Sequence, residues 1–292
     1  MTSQGTRMLA RFREAQLPGI ARLRALAAAD KLPEPLSFPD REGRPAFSRA
    51  LRAAGSPAVI AEYKRASPSR GVIRLDLSPQ DVARMYAQNN AGAISVLTEE
   101  AHFQGSLDSL ARMAFAGLPL LRKDFLIDPV QVLETAATPA SALLLIMRMF
   151  EGADQVREMR ELAREHGLEA VCEVFDEADL DMARWAGAEI IQVNNRDLDT
   201  LETSLDVSRR LVRTRGAGEL WISASGLSAP EQVAEMGDLG FDAVLVGTSL
   251  MSQADPGAAL RALAQVGRDR KAAREAERHA RHEAAGRGGG NR

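Results

Sequence analysis

Short apolar runs alternate with amphipathic stretches along most of this 292-residue chain. The runs cover residues 58–63, 93–98, 119–122, 142–147, 169–175, 189–194, 220–225 and 243–247. Each has strand length and is rich in Val, Ile and Leu, the composition of a parallel sheet covered on both faces. The stretches between them read as helices with recognisable ends. Ser78-Pro79, Asp128-Pro129 and Ser228 with Pro230 are start signals, and Gly92, Gly167 and Gly187 are stop signals. Eight strand–helix units at roughly 30 residues each predict a closed (β/α)8 barrel, the TIM-barrel architecture. A doubly wound open sheet shows the same local alternation. Eight regular units, with no Gly-rich dinucleotide turn after the first run, favour closure.

The two ends of the chain stand outside this repeat. Residues 1–56 predict an N-terminal extension: an amphipathic helix over residues 7–29, then a Pro-rich link from Pro33 to Pro45. It is expected to pack across one end of the barrel domain, residues 57–267. Residues 268–292 are Arg- and Ala-rich and run into AGRGGGNR. They predict a basic tail whose first part extends a helix and whose last part is disordered.

Composition then narrows the function. Hydrophobic residues make up 45% and charged residues 26%, an ordinary globular balance, and the net charge of −3 gives no reason to expect nucleic acid as a partner. One cysteine, Cys172, excludes an internal disulfide framework and reads as a small core residue. The longest apolar stretch, 142–147, is far too short for a membrane span, so no membrane partner is expected and the cytoplasm is the default location. No phosphate-binding P-loop, dinucleotide fingerprint or HExxH is present. His102, His166, His279 and His282 are scattered or in the tail, so no metal and no cofactor are expected.

The chemistry lies at the C-terminal ends of the runs, which a barrel gathers into one mouth. Glu62 and Lys64 end the first run, two apart and therefore on one face. Lys123 ends the third, between Arg122 and Asp124. Glu173 lies in the fifth, and Asn194, Asn195 and Arg196 end the sixth. Each charge alone reads as a solvated surface group. Together they form a set whose mutual charge and burial suit acid–base work. After the seventh and eighth runs, Ser225-Gly226 and Gly247-Thr248 place glycine and hydroxyl groups at helix starts, the usual phosphate site of such barrels. A phosphorylated small molecule is the expected partner.

In order, the segments VIAEYKRASPSRG, AISVLTEEAHFQGSLDSL, LLRKDFLIDPVQV, CEVFDEADL, VNNRDLDTLE, SGL and LVGTSLM resemble the motif set of indole-3-glycerol-phosphate synthases, over residues 57–264. The resemblance implies ring closure of 1-(2-carboxyphenylamino)-1-deoxyribulose 5-phosphate with loss of carbon dioxide and water, a step of tryptophan biosynthesis. It implies no cofactor. Lys123 matches the general acid and Glu173 the carboxylate that assists proton removal and dehydration. Lys64 matches a substrate-binding lysine, with the acid of the dehydration open among these groups, and Glu62 matches a positioning glutamate. Asn194 and Arg196 match the polar pair near the aromatic end and its carboxylate. Ser67, Ser225, Gly226, Gly247 and Thr248 match substrate- and phosphate-binding positions. Two positions depart from the family pattern: Ala224 where a glutamate is usual, and Phe175 where histidine is usual. The missing carboxylate keeps a binding-only or altered-substrate paralogue as the alternative. A monomer is the default oligomeric state, no fused second enzyme domain is expected, and docking to other enzymes of the pathway stays open.

Overall fold

The computed structural model describes residues 4–36, 46–197 and 200–288. Eight parallel strands close into a barrel: β1 (Ala58–Tyr63), β2 (Ala93–Leu97), β3 (Leu120–Lys123), β4 (Ala142–Ile146), β5 (Glu169–Val174), β6 (Ile190–Asn194), β7 (Leu220–Ala224) and β8 (Ala243–Val246). Each strand pairs with the next in the chain, and β8 returns to β1 with Ala243 opposite Ala58. Closure leaves no unpaired edge, and the open sheet is thereby excluded. All eight predicted runs form strands, with ends shifted by a residue or two.

The helix starts follow the predicted caps, with one change. Ser78 accepts a hydrogen bond from the Asp81 amide at 3.2 Å, and Asp128 accepts one from the Val130 amide at 3.0 Å. Ser228 is not the third cap. Ala229 takes that position, and Gln232 Oε1 accepts from the amides of both Ser228 and Ala229. Gly92 does not close its helix either. The helix Pro79–Gln88 ends earlier, and Asn90 makes the left-handed turn at φ 66°.

The extension meets both ends of the barrel. The helix Gln4–Ala28 packs beside the helix Pro129–Ala136 with Phe12, Ile20 and Leu23 buried. Phe12 stacks on Phe125 with ring centres 4.1 Å apart, and Gln16 Nε2 donates to Asp124 Oδ1 at 3.2 Å. Phe125 and Asp124 follow Lys123 directly, so this helix covers one side of the mouth. A second helix, Phe47–Ala54, buries Phe47 and Leu51 completely. Its Ser48 amide donates to Glu169 Oε2 at 3.0 Å, and Glu169 begins β5, so this helix closes the opposite end. Most of the predicted Pro-rich link, residues 37–45, lies outside the described residues.

The tail is helical further than the sequence suggested. One helix runs from Pro256 to Gly288, across the boundary drawn at residue 268, so it takes in the expected helical extension and residues 285–288 of the end expected to be disordered, while residues 289–292 lie outside the described residues. Its Ala, Arg, Lys and Glu residues are strong helix formers. Contacts with the floor of the barrel hold it as well. Arg270 pairs with Asp238 at 2.5 Å, Lys271 donates to the Ala53 carbonyl, and Arg274 donates to Ser56 Oγ at 2.7 Å. Among the described residues no helix is long and apolar enough to cross a membrane.

Candidate active site

Strand alternation decides which charges reach the mouth. Arg122 and Asp124 flank Lys123 and therefore point away from it. Arg122 reaches into the helix layer, to Thr135 Oγ1 at 2.8 Å and Glu134 Oε2 at 3.0 Å, and Asp124 accepts from Thr98 Oγ1 at 2.6 Å. Lys123 is left facing Glu62. The Glu62 side chain is 2% exposed, with Lys64 Nζ 2.6 Å from its Oε1 and Lys123 Nζ 3.8 Å from its Oε2. Two ammonium groups from different strands thus converge on one buried carboxylate, which fixes both. Breaking such a buried cluster leaves an uncompensated charge.

Glu173, also buried, is held by neutral donors. Asn194 Nδ2 donates to its Oε1 at 3.1 Å and Gln192 Nε2 to its Oε2 at 2.6 Å. Glu62, Lys64, Lys123, Glu173, Arg196, Ser225, Gly226, Gly247 and Thr248 line one cavity of about 370 Å³. Asn194 and Ser67 instead line an adjoining chamber of about 120 Å³, walled by Met8, Leu9, Phe12, Phe103, Phe125 and Phe175. Ser67 therefore stands on the apolar side of the site. Lys64, Lys123, Glu173 and Arg196 line both spaces and sit where polar cavity meets apolar chamber. Arg196 donates to the Leu201 carbonyl at 2.6 Å. Burial lowers its pKa, neighbouring Arg70 lowers it further, and Glu62 opposes both. It stays cationic at neutral pH, as guanidinium groups do.

The two glycines serve different ends. Ser225 and Gly226 both adopt left-handed backbone, with φ of 70° and 79°, and a Cβ on Gly226 would lie 3.1 Å from that of Thr203. Gly247 is not left-handed, with φ of −125°. It is needed for space, because a Cβ there would press on the Glu62 carboxylate. Thr248 opens a short helix, Thr248–Met251, whose first amides have no partner within the helix. Ser249 Oγ donates to the Leu227 carbonyl at 2.9 Å and ties the two loops into one cradle.

Asn195 does not join Asn194 and Arg196 in the mouth. It is buried behind β7, where its Nδ2 reaches Ser223 Oγ and the Ala224 carbonyl at 3.0 Å each, and its Oδ1 accepts from the Ser208 amide at 3.1 Å. This amide braces the turn that carries Ser225. Asn195→Ala is expected to destabilise the protein by about 2 kcal/mol or more, since buried partners lose their bonds; denaturant unfolding checks this.

Ala224 is buried opposite Asn194 in the β6–β7 ladder and contributes no charge to the cavity wall. Phe175 lies under the Arg148 guanidinium, 4.6 Å from the ring centre. Arg70, Thr203 and Gln192 are among the cavity or support residues that escaped the sequence reading. Arg70 stands inside the SPSRG stretch after the first run and lines the cavity without an ion pair among the described residues. Thr203 lines it too, and gave no signal beyond its place after the sixth run. Gln192 sat unremarked within an apolar run.

Comparisons with known proteins bear on the fold and the family. The family model described as indole-3-glycerol phosphate synthase matches residues 24–263. Indole-3-glycerol phosphate synthase of Polaromonas naphthalenivorans is 42% identical over 240 residues, covering 80% of this chain and 91% of the relative. The protein of the same name from Salinibacter ruber is 42% identical over 233 residues, covering 79% and 86%. Among solved structures, 3-hexulose-6-phosphate synthase from Salmonella typhimurium superposes with a TM-score of 0.57 at 16% identity, over 72% of this chain and 97% of that one. Thiamine phosphate pyrophosphorylase from Pyrococcus furiosus gives 0.55 at 14% identity, over 74% and 96%. At such identities these two likenesses speak for the fold alone.

Proposed function

Because the chain belongs to the indole-3-glycerol phosphate synthase family, we propose that this mouth closes the indole ring of 1-(2-carboxyphenylamino)-1-deoxyribulose 5-phosphate, with Lys123 as general acid and Glu173 as proton acceptor. The observation that carries the reading is the convergence of Lys64 and Lys123 on buried Glu62, with Glu173 lining the same cavity. The apolar chamber takes the aromatic ring, with Asn194 and Arg196 near its carboxylate. The phosphate rests in the cradle of Ser225, Gly226, Gly247 and Thr248. Ser67 contacts the substrate from the chamber side.

The ring carbon that bears the carboxylate attacks the ketone carbon, and Lys123 donates a proton to the ketone oxygen, which becomes a hydroxyl. Carbon dioxide leaves and its bonding electrons restore the aromatic ring. Glu173 then accepts a proton from the carbon beside nitrogen, and the hydroxyl departs as water with a proton from a lysine. That second acid is Lys64 or Lys123. Glu62 keeps both lysines aimed at the cavity. Continuous fluorescence of the indole product, in buffer without added metal or cofactor, is expected to show turnover. Tight substrate binding without turnover would instead establish a binding-only barrel.

Charge balance gives Arg70 a part. The substrate carries about −2.5 to −3 near neutral pH. Lys64 and Lys123 are both engaged by Glu62, whereas Arg70, like Arg196, lines the cavity without an ion-pair partner among the described residues and is free to meet that charge. Arg70→Ala is expected to raise KM roughly ten- to hundredfold, the worth of a charged hydrogen bond, with kcat little changed. Steady-state kinetics at fixed ionic strength checks it, and an unchanged KM removes Arg70 from the site.

A further inference from the structure

Gln192 stands in the middle of β6 with its side chain fully buried. It shares a strand face with Asn194, and in the ladder it lies opposite Glu173 on one side and Ile222 on the other. Its Nε2 donates to Glu173 Oε2 at 2.6 Å, the shorter of the two side-chain bonds that hold this carboxylate. Its own Oε1 is buried and has no hydrogen-bond partner among the described residues. An orphaned acceptor inside a barrel is destabilising. A leucine or methionine of similar volume would fill the space without it. Among the described residues the one bonded partner of this amide side chain is Glu173.

The type of donor matters. Glu62, the other carboxylate in the cavity wall, is tied to two lysines. Glu173 is instead held by two amides, which neither give nor take a proton at neutral pH. Ala224 brings no further carboxylate to the neighbouring strand end. A proton acceptor is thus fixed in orientation without being neutralised by a cation.

We propose that Gln192 is a positioning residue for the reaction: with Asn194 it sets the rotation of the Glu173 carboxylate, so that the base is already aligned when the substrate binds. Alignment of this kind lowers the barrier without touching the substrate. The inference rests on the reading of Glu173 as proton acceptor.

The test compares Gln192→Leu, Gln192→Glu and Glu173→Gln by kcat, KM and the pH dependence of kcat. Gln192→Leu is expected to lower kcat about tenfold or more with KM within about twofold and thermal stability retained. Gln192→Glu places a carboxyl group at hydrogen-bond distance from Glu173. The two cannot both ionise freely, so the acidic limb of the profile is expected to move up by about one pH unit or more. A structural role alone would lower the melting temperature of Gln192→Leu and leave its kcat near that of the parent. If Glu173→Gln is inactive while Gln192→Leu keeps kcat within about twofold of the parent, the assignment of Gln192 is overturned and that of Glu173 stands. If Glu173→Gln itself keeps near-parent kcat, the reading of Glu173 falls, and the role of Gln192 falls with it.

Discussion

Replacement of Lys123 by alanine is expected to lower kcat by about 10²- to 10⁴-fold, the span of general acid catalysis, while the thermal transition stays near that of the parent. The two halves of this expectation have separate causes. Lys123 ends β3, and its contact with Glu62, at 3.8 Å, is the looser of the two lysine contacts. Without it, Glu62 keeps Lys64 at 2.6 Å and is not left as a bare buried charge. The strand itself is held by Arg122 and Asp124, which bond into the layers behind it and do not depend on the lysine. The fold therefore survives, and the proton for the ketone oxygen does not arrive. Lys123→Arg is expected to recover little activity. A guanidinium keeps the positive charge but does not release its proton near neutral pH. Product fluorescence and circular dichroism melting on the same preparations separate the two effects. Near-parent kcat in the alanine variant would move the acid to Lys64.

The barrel was legible because its strands are contiguous apolar runs and its helices carry Pro and acid or hydroxyl start signals. Register and alternation then followed: once Lys123 ends a strand, Arg122 and Asp124 must face the other way. What escaped was information about depth. Asn195 looked equivalent to Asn194, yet one residue along a strand means the opposite face, and only the closed barrel shows which face holds the mouth. Gln192 was hidden because a single polar residue inside an apolar run reads as tolerated noise, whereas in three dimensions it lies against the Glu173 carboxylate. Arg70 was visible only as one letter of a motif, since its place in the cavity depends on how the loop after β1 folds back. The helical start of the tail was legible from its composition, but its contacts through Arg270, Lys271 and Arg274 with the barrel floor were not, because composition reports solvation and propensity only.

Gly247→Ala is the substitution from which the largest structural penalty at the site is expected. The residue looks like part of a phosphate cradle, where glycine lets backbone approach an anion. Its backbone, at φ −125°, is not left-handed, so no positive φ demands glycine. Space does. An added Cβ would lie 2.8 Å from Glu62 Cδ and 3.0 Å from Glu62 Cβ, and closer still to Oε1. Glu62 has no room to yield. It is buried on β1, and its carboxylate is bound by Lys64 at 2.6 Å with Lys123 at 3.8 Å. Either the carboxylate swings away and releases both lysines, or β8 shifts from β1 where Val246 pairs with Ala61. The first outcome removes the alignment of the acids, and the second strains the barrel seam at a cost of about 1–3 kcal/mol, as overpacking does. The expected result is a fall in kcat of roughly 10²-fold or more together with a lower melting temperature. The split between the kinetic constants decides the cause. A variant that loses kcat at nearly constant KM has lost the lysine pair, and Gly247 is then there to make room for Glu62. A variant that raises KM alone, with kcat and melting intact, has lost only the close approach to phosphate, and Gly247 belongs to the cradle.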